Sequence, residues 1–160
     1  MKKWPWFLVS IVVILLDQAS KYWAVSRLMP YQPEAVWPLL NLTLAYNSGA
    51  AFSFLSGAGD WHRWFFTGFS GVMSVVLTFW IWRLPQGARL QLTAVSLILA
   101  GALGNFVDRL RLGHVIDFID VYYTHYHWPA FNIADSAICI GAFLLFVDMC
   151  FESKRLEKVN

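Results

Sequence analysis

Charged side chains are scarce in this sequence of 160 residues, which is 14% charged and 58% hydrophobic. An ordinary soluble domain carries about 25% charged residues, so this composition is typical of a membrane protein instead. The formal net charge is only +2, and no basic cluster with interleaved aromatic residues lies outside the apolar runs. A nucleic-acid partner is therefore not expected. No repeat, low-complexity run or linker divides the chain, so residues 1–160 are predicted to form a single domain.

Cysteine is also rare, and its two copies cannot pair with each other. Cys139 and Cys150 both fall in the last apolar run, where a helix would hold them about 16 Å apart along its axis. A disulfide needs Cα atoms within about 7 Å, so both thiols are predicted to be free. No Cys and His residues have the spacing of a zinc site. The sequence therefore predicts neither a metal nor a cofactor.

Long apolar runs are what the chain has in abundance. Four of them, each close to the roughly 20 residues that cross a bilayer, predict transmembrane helices at residues 7–28, 64–82, 90–107 and 133–151. The first run follows Lys2 and Lys3, as in a signal peptide, but no small-x-small cleavage site comes after Leu16. We therefore interpret it as an uncleaved first span of a multi-pass protein.

Lysine and arginine are distributed unequally between the two ends of these spans. One end holds Lys2, Lys3, Arg83, Arg89, Lys154, Arg155 and Lys158. The loops at the opposite end hold Arg63, Arg109 and Arg111, and Lys21 and Arg27 lie inside or at the end of the first span. Because cytoplasmic loops carry the excess of these residues, both termini are predicted to be cytoplasmic and residues 104–135 to face outward.

The connection between the first two spans is too long for a tight turn. Leucines alternate with small or polar residues in Leu39–Tyr46, and alternation resumes in Ala50–Leu55 after the turn sequence Asn47-Ser48-Gly49. This period of two predicts a short β-hairpin. The predicted fold class is an all-α integral membrane protein with four transmembrane helices. A small periplasmic β-hairpin between helices 1 and 2 is predicted to cradle an extended peptide.

Polar residues next to the spans are concentrated between Gly104 and Asp135. They are Asn105, Asp108, Arg109, Asp117, Asp120, Asn132 and Asp135. Carboxylates at the edge of hydrocarbon are costly and are candidates for function. Asp117 follows the predicted stop of the third helix at Gly113, and Asp135 lies in the first turn of the fourth, so both belong at a similar depth. Two such carboxyls can share one proton and divide acid and base roles.

Other interpretations of these residues remain open from spacing alone. Asp117 and Asp135 can instead cap helix ends or pair with Arg109. Asp108 is interpreted as a structural partner of Arg109, and Asp120 as a solvated loop residue. His114, His125 and His127 fall in a predicted wet aromatic loop, where a metal or proton-relay role is an alternative without a matching ligand set.

Asp17 and Lys21 form the other polar pair, inside the first span. Their i, i+4 spacing puts both side chains on one helix face and predicts a structural ion pair. The alternative is a proton-coupled carrier or membrane assembly factor with this pair as its functional centre. Four spans without a repeat fit most carriers poorly.

Two short motifs match other intramembrane proteases. Gly68-Phe-Ser-Gly71 resembles the motif of rhomboid serine proteases, but that mechanism needs a histidine base on a neighbouring span. All four histidines lie in predicted loops. Gly57-Ala-Gly-Asp60 matches the motif of another intramembrane aspartyl class, but it precedes the second span without a convincing partner.

Five motifs in order resemble the lipoprotein signal peptidases, the bacterial signal peptidase II family. They are Asp17-Gln-x-x-Lys21, Asn47-Ser-Gly-Ala-Ala-Phe-Ser53, Gly104-Asn-x-x-Asp-Arg109, Val115-Ile-Asp-Phe118 and Phe131-Asn-x-Ala-Asp135. They span nearly the whole chain and depart from the family pattern at no motif position.

The resemblance implies a membrane aspartic endopeptidase with Asp117 and Asp135 as its catalytic pair. It also implies that a further group of residues lines the site, holding the substrate backbone or ordering the pair: Asn47, Asn105, Asp108, Arg109 and Asn132. The implied substrate is a prolipoprotein with a diacylglyceryl cysteine, cut just before that cysteine, in the bacterial inner membrane near its periplasmic face. Membrane lipids and globomycin-type inhibitors are the other implied partners, and a monomer is expected.

Overall fold

The computed structural model describes residues 3–49 and 61–157 of the chain. In these ranges the elements run α1 (Trp4–Arg27), β1 (Glu34–Trp37), β2 (Leu40–Asn47), α2 (Trp61–Arg83), α3 (Arg89–Leu112), β3 (Val115–Tyr123), β4 (Tyr126–His127) and α4 (Ile133–Glu157). All four helices are long and apolar enough to cross a membrane. They occupy the four apolar runs, so the four predicted helices are confirmed, and α3 continues to Leu112, beyond its predicted end at residue 107.

Helix α3 is the centre of the bundle and packs against each of the other three helices. Small residues allow the neighbouring helices to approach α3 closely. A Cβ added to Gly104 would lie 2.7 Å from a carboxylate oxygen of Asp17 on α1, and one added to Gly141 of α4 would lie 2.6 Å from the carbonyl oxygen of Ala94 on α3. A larger side chain at Gly104 would displace the Asp17 carboxylate, and one at Gly141 would push against the backbone of α3.

Local sequence signals end two helices where the site begins. Helix α3 stops at Gly113, which has a φ of 83° and donates its N–H to the carbonyl of Arg109 at 3.1 Å. This left-handed residue is the common helix stop for which glycine is suited, and it turns the chain directly into β3. Helix α1 ends at Arg27, before the extended Leu28 and Pro30.

A four-stranded antiparallel sheet, in the order β1-β2-β3-β4, sits at one end of the bundle. The protein is therefore not all-α, and this part of the predicted fold class is wrong. A hairpin does connect α1 and α2, but it pairs β1 with β2, and β2 then pairs with β3 from the other half of the chain. The predicted second strand, Ala50–Leu55, lies outside the described residues.

The sheet is joined to the bundle by a small apolar core. Ala24 and Leu28 at the end of α1 pack against Leu44 of β2 and against Ile116 and Phe118 of β3. Four consecutive residues of β3, from Val115 to Phe118, are buried on both faces of the strand. This explains the continuous apolar run around Asp117, and it fixes that carboxylate against the helices.

Candidate active site

Asp117 and Asp135 come together at the polar end of a cavity of about 710 Å³. Asp117 is on β3 and Asp135 is in the first turn of α4. Asn132 links them, because its amide donates to Asp117 Oδ1 at 2.7 Å while its own oxygen accepts the backbone N–H of Asp135 at 2.9 Å. The structure thus brings both predicted carboxyls to one site.

The residue that links the two carboxyls, Asn132, is also the N-cap of α4. Asn132 is the residue before α4, and the backbone N–H of Asn132 in return donates to Asp135 Oδ2 at 3.3 Å. Reciprocal bonds between the cap residue and the third helical residue satisfy two N–H groups that the helix leaves unpaired. The predicted cap at Asn132 is confirmed, and capping and pairing are one arrangement rather than alternatives.

The surroundings of Asp117 favour its protonated form. Its side chain is nearly fully buried, and Asn47 of β2 donates to its Oδ2 at 3.1 Å. Burial, and then the nearby charge of Asp135, raise the pKa of Asp117 to about 7, against the opposing effects of the Asn47 and Asn132 hydrogen bonds and of the Lys21 charge. A carboxyl that titrates near neutral pH is suited to acid–base chemistry.

Asp135 is held by a different set of donors. The amide of Asn105 on α3 donates to Asp135 Oδ1 at 2.7 Å. Together with the backbone N–H of Asn132, this gives the carboxylate one donor on each oxygen. The position in the first turn of α4 also exposes it to the positive end of the helix dipole, which favours a negative charge.

Behind this pair lies a buried cluster formed by Asp17, Lys21 and Asp108. The ammonium of Lys21 is 2.9 Å from Asp17 Oδ2 and 2.7 Å from Asp108 Oδ2. Asp17 also accepts the backbone N–H of Ala134 at 2.9 Å, which ties α1 to the start of α4. Asp108 is thus paired with Lys21 rather than with Arg109, and it is not among the described residues that line the cavity.

Arg109 reaches the cavity from α3 and joins it to the end of β2. Its Nη2 donates to the carbonyl of Gly49 at 3.1 Å, and its guanidinium lies 5.7 Å from the ring centroid of Phe66 on α2. Its Nε is buried and has no hydrogen-bond partner among the described residues. The N–H of Gly49 in turn donates to Asn47 Oδ1 at 3.0 Å, so Arg109 and Asn47 form one wall of the site.

The rest of the cavity is apolar and runs along the membrane-spanning helices. Its walls are Phe66, Phe69, Met73 and Leu77 of α2, Ile98 and Ala102 of α3, Ile138, Cys139 and Ile140 of α4, and the segment 128–131 before α4. Its size falls within the usual range for ligand pockets, about 300–1,000 Å³. An apolar chain can therefore lie between α2 and α4 while its polar end meets the aspartates.

Asp120 is not a solvated loop residue, contrary to the sequence interpretation. It is buried on β3, and it accepts from Thr43 Oγ1 at 2.8 Å and contacts His127 Nδ1 at 2.9 Å. Burial raises the pKa of Asp120, but hydrogen bonds from His127, Thr43 and Asn41 outweigh burial and lower it overall. The segment expected to be a loop is the β3–β4 hairpin, which this cluster ties to β2.

His114, His125 and His127 do not gather at Asp117 and Asp135, since none of the three is among the described residues that line the cavity. His114 stacks edge-on with Tyr46, with ring centroids 4.8 Å apart, and burial lowers its pKa against the charge of Asp108. His125 is exposed at the hairpin tip. Within residues 3–49 and 61–157, no group of three His, Cys, Asp or Glu residues could hold a metal ion.

The competing motifs find no support in the described structure. The hydroxyl of Ser70 donates to the carbonyl of Phe66 within its own helix at 2.7 Å. Residues Gly57 to Asp60 lie outside the described residues. Asp17, the centre of the carrier interpretation, is completely buried and bonded to Lys21 and the backbone of α4.

Two contributors to the site were missed from the sequence. Gln18 donates to Asp108 Oδ1 at 2.8 Å, and Phe66 lies under the guanidinium of Arg109. Gln18 could have been recognised, because it is a polar amide next to Asp17 inside an apolar span. Phe66 is one of thirteen phenylalanines, and nothing in the sequence separates it from the others.

Four membrane-spanning helices with a buried carboxyl pair at the end of an apolar cavity define a polytopic membrane enzyme in outline, and comparisons with known proteins agree. The family model described as signal peptidase (SPase) II matches residues 9–151. The chain belongs to this family of peptidases.

Curated relatives and a solved structure cover nearly the full length. The lipoprotein signal peptidase of Acinetobacter baylyi is 49% identical over 156 residues, which is 97% of this chain and 87% of the relative. The lipoprotein signal peptidase of Alteromonas mediterranea is 52% identical over 152 residues, 95% of this chain and 84% of the relative. A bacterial membrane enzyme solved by the in meso method at 2.3 Å superposes with a TM-score of 0.84 at 34% identity, covering 94% of this chain and 90% of that one.

Proposed function

We propose that this protein is an aspartic endopeptidase of the membrane that removes the signal peptide from diacylglyceryl-modified prolipoproteins. It cuts on the N-terminal side of the lipid-modified cysteine. The observation that carries the proposal is the pairing of Asp117 with Asp135 through Asn132 at the polar end of an apolar cavity. The names of the curated relatives point to lipoproteins as substrates, and the lipid-modified cysteine is what the motif resemblance implies.

The chemistry needs only water and the two carboxyls. The ionised aspartate takes a proton from water, whose oxygen attacks the scissile carbonyl carbon, and the protonated aspartate donates a hydrogen bond and then its proton to the carbonyl oxygen. When the tetrahedral diol collapses, the C–N bond breaks, the first aspartate gives the proton it took from water to the new amine, and a hydroxyl of the diol returns a proton to the second aspartate. One water is consumed, and the pair returns to its starting state with one shared proton.

The other polar residues of the site have three roles in this proposal. Asn47 and Arg109 line the cavity wall and hold the substrate backbone. Asn105 and Asn132 orient the aspartates through their hydrogen bonds. Asp108 acts from behind the site, through Lys21.

The cavity supports a lipid-anchored substrate. Its apolar walls on α2 and α4 are suited to acyl chains and to an apolar signal helix, while the scissile bond stays near the aspartates. A diacylglyceryl group cannot leave the bilayer, so the enzyme has to meet the bond at the membrane interface. Globomycin-type cyclic peptides are expected to compete for the same cavity.

The protein is proposed to act as a monomer in the bacterial inner membrane, with its sheet and aspartates near the periplasmic face. The ammonium of Lys3 binds the carbonyl of Leu84, so the start of α1 and the end of α2 are at the same end of the bundle. That end carries Lys3, Arg83 and Arg89, and the sheet is at the other. An excess of positive charge favours the cytoplasmic side for the end without the sheet.

The experiment that tests this function compares two forms of one prolipoprotein, with its lipobox cysteine either diacylglyceryl-modified or free. Purified enzyme in detergent is mixed with each form, and the products are identified by intact mass spectrometry. We expect a cut just before the modified cysteine and little cleavage of the free form. Failure to cut the modified form, or equal cutting of both, would contradict the proposal.

A further inference from the structure

Lys21 is one side chain away from the aspartate pair, although none of the described residues that line the cavity comes from α1. Its ammonium contacts Asp17, Asp108 and the side-chain oxygen of Asn105, the last at 3.0 Å. A lysine ammonium has three donors and no acceptor. All three donors are therefore used, and the buried group has a single position.

This position decides which way the amide of Asn105 points. Because the ammonium can only donate, it must face the amide oxygen of Asn105. The amide NH₂ is then directed to the other side, where it donates to Asp135 Oδ1 at 2.7 Å. The reversed amide would set NH₂ against the ammonium and an oxygen against the carboxylate.

Asn132 reinforces the same direction. Its NH₂ group donates to Asn105 Oδ1 at 3.3 Å as well as to Asp117. The oxygen of Asn105 thus receives two donors, and its NH₂ is left for Asp135. The chain of donors runs from Lys21 through Asn105 and ends on Asp135.

We propose that Lys21 is a positioning residue that, through Asn105, keeps Asp135 as the ionised member of the pair, so that Asp135 is the base and Asp117 carries the proton. This inference rests on the proposed function, since it assigns roles within the same catalytic pair. It goes further than an ion pair that anchors α1, because it gives the charge of Lys21 an effect on the reaction.

The charged groups around the pair are consistent with this assignment. They are Asp17 and Lys21 on α1, Asp108 and Arg109 on α3, Asp117 on β3 and Asp135 on α4, whereas the described cavity-lining residues of α2 are uncharged. Asp135 has the N-terminus of α4 and the donor chain from Lys21. Asp117 is almost fully buried in β3, where its pKa of about 7 favours the proton.

The test separates the charge of Lys21 from the stability that the cluster provides. Lys21→Met is combined with Asp108→Asn, so that one positive and one negative charge are removed together, and Asp108→Asn alone is the matched control. Cleavage of the modified prolipoprotein is measured from pH 5 to 9, and thermal unfolding in detergent is followed in parallel. Asp108→Asn keeps the bond from Lys21 to Asn105.

In the double variant we expect the acid limb of kcat/KM to move to higher pH by about one unit, the lower end of the effect of a neighbouring opposite charge. We also expect kcat to fall about a hundredfold, as for a catalytic group misplaced by about 1 Å, with KM little changed. Asp108→Asn alone should keep the wild-type pH midpoint even though it unfolds at a lower temperature.

A purely structural cluster predicts something different. In that case both variants would lose stability and keep the wild-type pH midpoint, which would overturn the inference. If the double variant does not fold, Lys21→Gln replaces it, because glutamine keeps an NH₂ donor but carries no charge. An unshifted midpoint would be equally contradictory. Absence of cleavage by the wild type would instead refute the proposed function.

Discussion

Asn132 and Asp135 bind each other twice at the start of α4, once through the side-chain oxygen of Asn132 at 2.9 Å and once through Asp135 Oδ2 at 3.3 Å. The same Asn132 side chain donates to Asp117 at 2.7 Å. One residue therefore caps the helix and sets the relative position of the two carboxyls.

Asn132→Ser separates these two tasks. Serine is also a good cap residue, so the unfolding temperature should change little, but it lacks the NH₂ that reaches Asp117. We expect kcat to fall about a hundredfold with a near-normal thermal transition. Asn132→Ala, the comparison variant, loses the cap as well and should cost about 1 kcal/mol more in unfolding free energy. Equal activity of wild type and Asn132→Ser would show that the bond to Asp117 is dispensable.

The Asp117→Asn variant should gain stability relative to wild type as pH rises. The folded pKa of Asp117, about 7, is above the ordinary aspartate value of 3.8, so the folded state binds more protons than the unfolded state between these values. Stability of the wild type is therefore lost as pH rises through this window, by an amount on the order of a few kcal/mol. Asparagine cannot titrate, so the unfolding free energy of the variant should rise relative to that of wild type as the pH is raised from 5 to 8. A difference independent of pH would contradict the raised pKa.

Gly104→Ala should disturb the helix contact behind the site. The added Cβ would lie 2.7 Å from Asp17 Oδ2 and 3.2 Å from the Cβ of Ala134, so the Asp17 carboxylate, which is bonded to Lys21 and to the backbone of Ala134, must shift. We expect a lower unfolding temperature and weaker cleavage. Gly68→Ala is the matched control, because its Cβ would meet nothing within 4 Å and alanine is the better helix former. Similar effects of both substitutions would argue against close packing at Gly104.

His127→Phe tests the cluster that ties the β3–β4 hairpin to β2. Phenylalanine can keep the stacking on Tyr122, whose ring lies 5.5 Å from that of His127, but it loses the hydrogen bond to Asp120. The lowered pKa of Asp120 contributes stability that is present above its unfolded pKa and is lost as pH falls. The variant should thus be less stable than wild type at pH 6, with a smaller difference near pH 3. A constant difference would show that the hydrogen bond does not set this pKa.

The four helices were predictable because each apolar run is long and continuous, and the caps at Asn132 and Gly113 are local signals. The strand β3 was not predictable, because its partner β2 lies some seventy residues earlier and local sequence patterns do not indicate pairing over that separation. Asp120 was misplaced for the same reason. Its burial depends on Thr43 and Asn41 of β2, which only the sheet brings to it.

The candidate site was partly visible in the sequence. Asp117 and Asp135 follow helix-stop and helix-start signals, so their similar depth could be inferred. Their connection through Asn132, and the chain from Lys21 through Asn105, depend on side-chain directions at the meeting of three helices and a strand. Those directions follow from packing, such as the close approach allowed by Gly104, rather than from spacing.

The most direct test is the rate of cleavage of the modified prolipoprotein by wild type, Asp117→Asn and Asp135→Asn, with Asp148→Asn as the control. Asparagine keeps the shape of aspartate and removes its titratable group, and Asp148 lies toward the other end of α4, where it binds Gln91 at 2.6 Å. We predict that both site variants fold but lose roughly 10²- to 10⁴-fold in kcat/KM, while Asp148→Asn cuts at a rate close to wild type. Near wild-type cleavage by either site variant would contradict the catalytic pair and make Asp108 and Asp17 the next residues to test.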